Sequence, residues 1–122
     1  NALNWFEIPV TDFPRAQRFY EAVLGIHIEP FVMGPMTMGM LGTDYESVGG
    51  AIVYGEGGVP AQNGTLVYLN GGDDLAPMLA RAVAAGGTVL LLPDPQTVNA
   101  PCQIGFSAAF WNTALSAACF RC

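Results

Sequence analysis

The sequence contains no lysine. Its basic residues are four arginines, Arg15, Arg18, Arg81 and Arg121, set against ten acids, a net charge of −6 with the single histidine neutral. Nucleic-acid binding rests on neutralising phosphates with Lys and Arg, so no nucleic-acid partner is expected. The acidic balance suits dispersal in water, or a neutral or cationic small ligand. No apolar run approaches the roughly 18 residues of a membrane span, and no membrane partner is expected. The opening Asn1-Ala-Leu-Asn-Trp5 lacks the basic stretch and apolar run of a secretory leader. Cysteine is sparse as well: Cys102, Cys119 and Cys122 are an odd count without metal-type spacing. With no export signal they read as reduced thiols, and the expected compartment is the cytoplasm. No spacing brings a second base to a nucleophile, so neither a Ser-His-Asp nor a Cys-His arrangement is supported.

Apolar residues are plentiful. They make up 52% of the 122 residues, enough for one domain with a core that needs no staples. Trp5-Phe-Glu-Ile-Pro-Val10 alternates as a strand, with Phe6, Ile8 and Val10 on one face and Trp5, Glu7 and Pro9 on the other. Thr11-Asp12 supplies a helix N-cap, with Pro14 tolerated in the first turn. The helix runs to about Leu24 and carries Phe13, Ala16, Phe19, Tyr20, Val23 and Leu24 on one face, with Gly25 as C-cap. Strands are then expected over Ile26–Phe31, Met36–Leu41 and Gly49–Tyr54, each bounded by Gly, Pro or Asp. His27 reads as a surface or edge-strand histidine.

A second strand–helix–strand plan follows. Thr65 to Asn70 is a strand, and Asp74 caps a helix with Pro77 in its first turn. Leu75, Met78, Leu79, Ala82 and Val83 form its stripe, and Gly86-Gly87 stops it. Val89 to Leu92 is a strand halted by Pro93 and Pro95. Asp12 to Gly25 spans thirteen positions, as does Asp74 to Gly87. A repeat of about 62 residues is too long for a solenoid unit and suits a duplicated α+β half-domain.

Trp5-Phe-Glu-Ile-Pro-Val-Thr-Asp-Phe-Pro-Arg-Ala-Gln-Arg-Phe-Tyr-Glu-Ala-Val-Leu-Gly25 resembles the opening of vicinal oxygen chelate proteins, the glyoxalase, bleomycin-resistance and dioxygenase superfamily. There a strand ends in V-x-D, and a helix with F-Y leads to L-G. Gly64-Thr-Leu-Val-Tyr-Leu-Asn70 and Ala84-Ala-Gly-Gly-Thr-Val-Leu-Leu-Leu-Pro93 are similar to the second module of the glyoxalase/bleomycin-resistance-like subgroup. The resemblance covers about residues 3–95. It implies one domain over residues 1–122 built of two βαβββ modules, about 3–58 and 63–122. The modules bend their strands into a cupped mixed sheet, usually completed as a homodimer. The superfamily spans isomerases, dioxygenases, thiol transferases and drug binders, so the fold alone does not name an activity.

In metal-dependent members the first ligand lies five residues before the valine of V-x-D. Here that position is Trp5, and an indole offers only a donor. The matching place in module two is Leu66 or Val67, neither able to ligate. Gly49–Tyr54 offers no acid or histidine, although Glu56 follows, and Ser116 to Cys122 offers none either. No metal ligand set is assembled from these positions. The expected cofactor is none; a divalent metal, with Glu7 its most plausible participant, is the minority alternative.

With Phe6, Ile8 and Val10 beneath the helix, Trp5 and Glu7 face the cup. By the same logic Val67 and Leu69 go to the core, leaving Tyr68 and Asn70 on the cup face. An aromatic, a carboxylate, a phenol and an amide around an apolar cleft suit a cationic or aromatic small molecule. The alternative is that Trp5 fills a shrunken cup and Glu7 pairs with an arginine. Met36, Met38 and Met40 alternate along one strand face. Core packing is their default reading, and an adaptable thioether wall is the other, with Met38 and Met40 as ligand contacts.

The ending departs from the resemblance. Ten acids against three arginines give residues 1–94 a net charge of −7, while residues 95–122 carry only Arg121 and all three cysteines. Phe110-Trp-Asn-Thr113 fits the family's closing strands, but the turn glycine, the acid and the closing histidine are missing. A frameshift or recombination accounts for such an ending, whose apolar surface favours dimer formation. The expectation for the chain is a non-catalytic small-molecule-binding protein of the glyoxalase/bleomycin-resistance type that sequesters a cationic or aromatic compound. The alternative is a metal-dependent glyoxalase-like lyase or isomerase.

Overall fold

Alternation from Trp5 onward produces the first strand, β1 (Trp5–Pro9), which buries Ile8 and leaves Trp5 and Glu7 exposed. Helix α1 (Phe13–Leu24) follows at once because Asp12 caps it: Oδ1 accepts the Arg15 N–H at 3.1 Å, and Pro14 lies in the first turn. Gly25 ends it in the left-handed conformation, φ 67°, donating its N–H to the Glu21 carbonyl at 2.9 Å. Phe13, Ala16, Phe19, Tyr20 and Val23 form the buried face. The Phe19 and Tyr20 rings meet edge to face at 5.3 Å, and burial pushes the Tyr20 phenol pKa up. Each such large side chain removed from water contributes roughly 1.5–3 kcal/mol.

In this computed structural model the described residues are 2–42, 44, 46–60, 67–89, 103–106 and 115–120. The chain divides into two units, Asn1–Pro60 and Ala61–Cys122. The first continues through β2 (Pro30–Met33), β3 (Met36–Met40) and β4 (Gly49–Tyr54). Its four-stranded mixed sheet has the order β1-β4-β3-β2, with β1 parallel to β4 and the other pairs antiparallel. The second contains β5 (Val67–Asn70), α2 (Ala76–Ala84), β6 (Gly87–Val89), β7 (Gln103–Phe106) and β8 (Leu115–Phe120). The class is therefore α+β, and among the described residues each unit runs strand, helix, three strands along the chain.

The sheet of the second unit is not a copy of the first. Its order is β5-β7-β8-β6, with β5 antiparallel to β7 and β6 parallel to β8. By chain position the third and fourth strands have exchanged places relative to the first unit. One of the two exchanged strands, β8, lies where the sequence departs from the closing phrase of the proteins it resembles. Helix α2 also departs from expectation. Its N-cap residue by backbone bonding is Leu75, but Leu75 is already helical, φ −79° and ψ −21°, and Asp74 Oδ1 accepts the Ala76 N–H at 2.9 Å, so the Asp74 side chain still caps the first turn, from one residue earlier. The helix has nine residues against twelve in α1. Leu75, Met78 and Ala82 are buried, whereas Val83 is 52% exposed and does not belong to the stripe. The expected strand residues 65–66 and 90–92 lie outside the described residues.

One boundary in the first unit moves for a clear reason. The sequence predicts a strand from Ile26, but β2 starts at Pro30. The backbone of Ile28 is already engaged by α1: its N–H donates to Glu21 Oε1 at 2.8 Å, and its carbonyl accepts from Gln17 Nε2 at 2.9 Å. Gln17 and Glu21 are one helical turn apart, so two side chains take the place of a neighbouring strand. His27 thus lies on this crossover, not in a strand. It is exposed, with Nδ1 3.0 Å from Glu21 Oε1 and Nε2 3.3 Å from Glu29 Oε2.

The crossover drives the fully buried Ile28 side chain into the space of a missing one. A Cβ on Gly39 would stand 2.5 Å from Ile28 Cγ2, 3.1 Å from Phe13 Cζ and 3.3 Å from Ile52 Cγ1. Gly39→Ala is therefore expected to cost about 1–3 kcal/mol by overpacking. Combining it with Ile28→Ala in urea unfolding should give less than the sum of the two single losses; strict additivity would contradict the contact. The Ile28 N–H bond also holds the Glu21 carboxyl below its ordinary pKa of 4.5, helped by Gln17 and His27. A depressed carboxylate stabilises the fold fully above that value, and the stabilisation is lost as pH falls through the folded pKa. Unfolding between pH 6 and about 3 should show that loss, and Glu21→Gln should remove its share of the slope; an unchanged slope would contradict the assignment.

Candidate functional site

Strand register decides which of the first unit's side chains share a face. β1 pairs with β4 as Trp5–Gly49, Glu7–Ala51 and Pro9–Val53, and β4 pairs with β3 as Ala51–Met40 and Val53–Met38. β3 pairs with β2 as Met38–Phe31 and Met36–Met33. Neighbours across a ladder point to the same side. Trp5, Glu7, Met38 and Met40 therefore occupy one face, joined by Met36 and Phe31. The other face carries Phe6, Ile8, Gly50, Ile52 and Gly39, and the Gly39 surroundings show that it holds Ile28 and Phe13 of α1.

The two aromatic residues of β1 each find a glycine. Among the described residues a Cβ on Gly49 would meet the edge of the Trp5 ring, at 3.0 Å from Cζ3 and 3.2 Å from Cε3. On the opposite face a Cβ on Gly50 would collide with the Phe6 ring. An edge of the indole's six-membered ring thus approaches β4 where that strand has no side chain. Trp5 remains 38% exposed, and its Nε1–H donates to Glu7 Oε1 at 3.2 Å. Glu7 takes this hydrogen bond from the indole, not from an arginine.

The methionines divide. Met38 is 2% exposed in an apolar cluster with Ala51 and Val53, while Met36 and Met40 pack against that cluster half-buried. Core packing is thus the environment of Met38, and Met40 is the thioether nearer the Glu7 row. In the second unit Tyr68 and Asn70 are exposed on β5, with Leu69 buried and Val67 half-buried between and beside them. Asn70 Oδ1 accepts the Gly72 N–H at 2.9 Å, closing the turn after the strand. The structure brings together Trp5, Glu7, Met38 and Met40 on one sheet face, and Tyr68 and Asn70 on another strand.

The donor set here does not suit a metal. The position of the first family ligand is an indole already donating its hydrogen, and β4 presents Gly49, Ala51 and Val53 to this face. Among the described residues no three of His, Cys, Asp or Glu group closely enough to hold an ion. Glu56 is exposed in the Gly55–Gly58 turn. Cys102 and Cys122 lie outside the described residues. Among the described residues no helix is long and apolar enough to cross a membrane.

Sequence reasoning missed Gly49 as part of the site. Its signal was available: two successive glycines within an apolar strand mark a close approach, and the strand carrying two successive aromatics is the one that needs it.

Residues 3–41 match the family model described as bleomycin resistance protein-like N-terminal. No curated protein and no solved structure matches the chain. The matched segment carries β1, α1, β2 and β3, including Trp5, Glu7, Met38 and Met40. The match supports the likeness of the N-terminal segment to the vicinal oxygen chelate, bleomycin-resistance superfamily.

Proposed function

We propose that the chain is a non-catalytic small-molecule-binding protein of the bleomycin-resistance type, which sequesters a cationic or aromatic compound on the face bearing Trp5 and Glu7. One observation carries this reading: a partly exposed indole, its ring edge against Gly49, donates its N–H to an exposed carboxylate. An indole face attracts cations through its quadrupole, and a neighbouring carboxylate adds charge of the right sign. The overall charge of −6 favours the approach of a cation in the same sense. Met40 offers a deformable apolar edge, with Met38 supporting it from beneath. Tyr68 and Asn70, exposed on β5, are offered as further contacts. In this reading the two modules complete the cupped sheet that the resemblance implies, and the chain works as a homodimer.

The residues present support binding more than catalysis. A metal-dependent lyase or isomerase needs convergent donors, and Trp5 with Leu66 or Val67 at the family positions supplies none.

Ethidium, a cationic aromatic compound, should raise the melting temperature and quench Trp5 fluorescence. At about a hundredfold excess over Kd the stabilisation approaches 2.7 kcal/mol. Trp5→Leu and Glu7→Gln should each weaken binding several-fold. Stabilisation by millimolar Ni²⁺, Zn²⁺ or Mn²⁺, with none by ethidium, would overturn the proposal in favour of the metal-dependent enzyme.

A further inference from the structure

We infer that Asn70 is a site of spontaneous covalent modification: the Gly71 nitrogen attacks its side-chain amide, and the residue becomes aspartate or isoaspartate with water as the only co-reactant. This stands independently of the binding function proposed above, although it alters a residue offered there as a contact.

Three features meet at this residue. Asn70 is the last residue of β5, its pair with Gln103 ends the described β5–β7 ladder, and it is exposed to water. The next residue is Gly71, so no side chain shields the backbone nitrogen that follows. Asn70 Oδ1 accepts the Gly72 N–H at 2.9 Å, in a turn that places Gly72 in the left-handed region, φ 76°. Asn63-Gly64 repeats the dipeptide but lies outside the described residues.

The hydrogen bond bears directly on the chemistry. Attack by the Gly71 nitrogen on Cγ forms a C–N bond and moves the carbonyl electron pair onto Oδ1. The Gly72 N–H already donates to that oxygen, so it stabilises the developing charge as an oxyanion donor does in acyl transfer. The Gly71 nitrogen gives its proton to solvent. The side-chain nitrogen takes one up and departs as ammonia, leaving a five-membered succinimide. Water then opens this ring. Breaking the bond from Cγ to nitrogen gives aspartate in the ordinary chain. Breaking the main-chain bond instead leaves the chain running through Cγ, as isoaspartate. No oxidant or reductant takes part.

The turn also accommodates the product. Aspartate makes the same side-chain turn as asparagine, and a carboxylate accepts the Gly72 N–H more strongly than an amide does. Conversion makes the net charge one unit more negative than −6. The new charge falls on the exposed face of β5 that carries Tyr68.

The test incubates the whole chain in neutral and in mildly alkaline buffer. Mass spectrometry with fragmentation locates the mass gain of an amide-to-acid exchange, and chromatography separates the two products, with Asn70→Asp as the reference for one. Residue 70 should convert to both, and faster as pH rises, because the attacking nitrogen must lose its proton. Conversion in the folded chain should match or exceed that in denaturing urea, where the Gly72 bond is lost. Gly71→Ala should slow it about tenfold by crowding the attacking nitrogen. Alanine suits that backbone, since Gly71 is not among the positive-φ glycines of the described residues.

Slower conversion of residue 70 in the folded chain than in urea would overturn the inference, since the turn would then protect the amide. Conversion to aspartate alone, at a rate that Gly71→Ala leaves unchanged, would overturn the succinimide route. If Gly71→Ala fails to fold, Asn70→Gln gives the check. Its ring would have six members, and residue 70 should then stay unconverted; conversion at the parent's rate would again overturn the route.

Discussion

Successive residues of a strand point to opposite faces, so two bulky aromatics in a row need room on both sides of the neighbouring strand. Trp5 and Phe6 impose this demand at the edge of the first sheet, and Gly49 and Gly50 meet it in register. Much of the first unit depends on that match. Phe6 goes to the face covered by α1, where Gly39 makes the same concession to Ile28 and Phe13. Trp5 goes to the other face and reaches Glu7. A slip of one residue between β1 and β4 would exchange the faces, sending Glu7 beneath the helix and Ile8 out of the core. The paired glycines thus fix the register and the site together.

The first module was legible because local signals agreed there. Asp12, Pro14 and Gly25 mark one helix, and the period-two pattern of β1 assigns its faces without tertiary information. Where the reading failed, side chains distant in sequence had intervened. Ile28 left the predicted strand because Gln17 and Glu21 satisfy its backbone. The strand exchange in the second unit was not visible at all, since short apolar segments such as Gln103–Phe106 carry no information about which neighbour they pair with. Of the candidate site, periodicity gave the shared face of Trp5, Glu7, Met38 and Met40. The burial of Met38 and the role of Gly49 needed the packing.

Placing an indole where related metal-binding proteins have a ligand changes the kind of recognition available. A metal site draws a ligand's oxygen atoms by coordination, with strict geometry. A ring face and a carboxylate draw charge and planar surface, with looser geometry and smaller energies, roughly 0.5–2 kcal/mol for one cation–π contact. Glu7 is exposed, so solvent and salt screen its attraction. Affinity in such a site comes from several modest contacts and should fall with ionic strength. The N-terminal segment resembles that of the superfamily, while this face presents different chemistry.

The central claim is that β4 receives the two aromatic rings of β1 on opposite faces, and ring currents report it directly. Proton NMR should place the α-protons of Gly50, over the Phe6 ring face, upfield of ordinary glycine, and should displace those of Gly49, at the edge of the Trp5 ring, from their ordinary values. Trp5→Leu should return the Gly49 signals, and Phe6→Leu the Gly50 signals, toward ordinary values. Gly49 α-protons that do not respond to the loss of Trp5 would contradict the account.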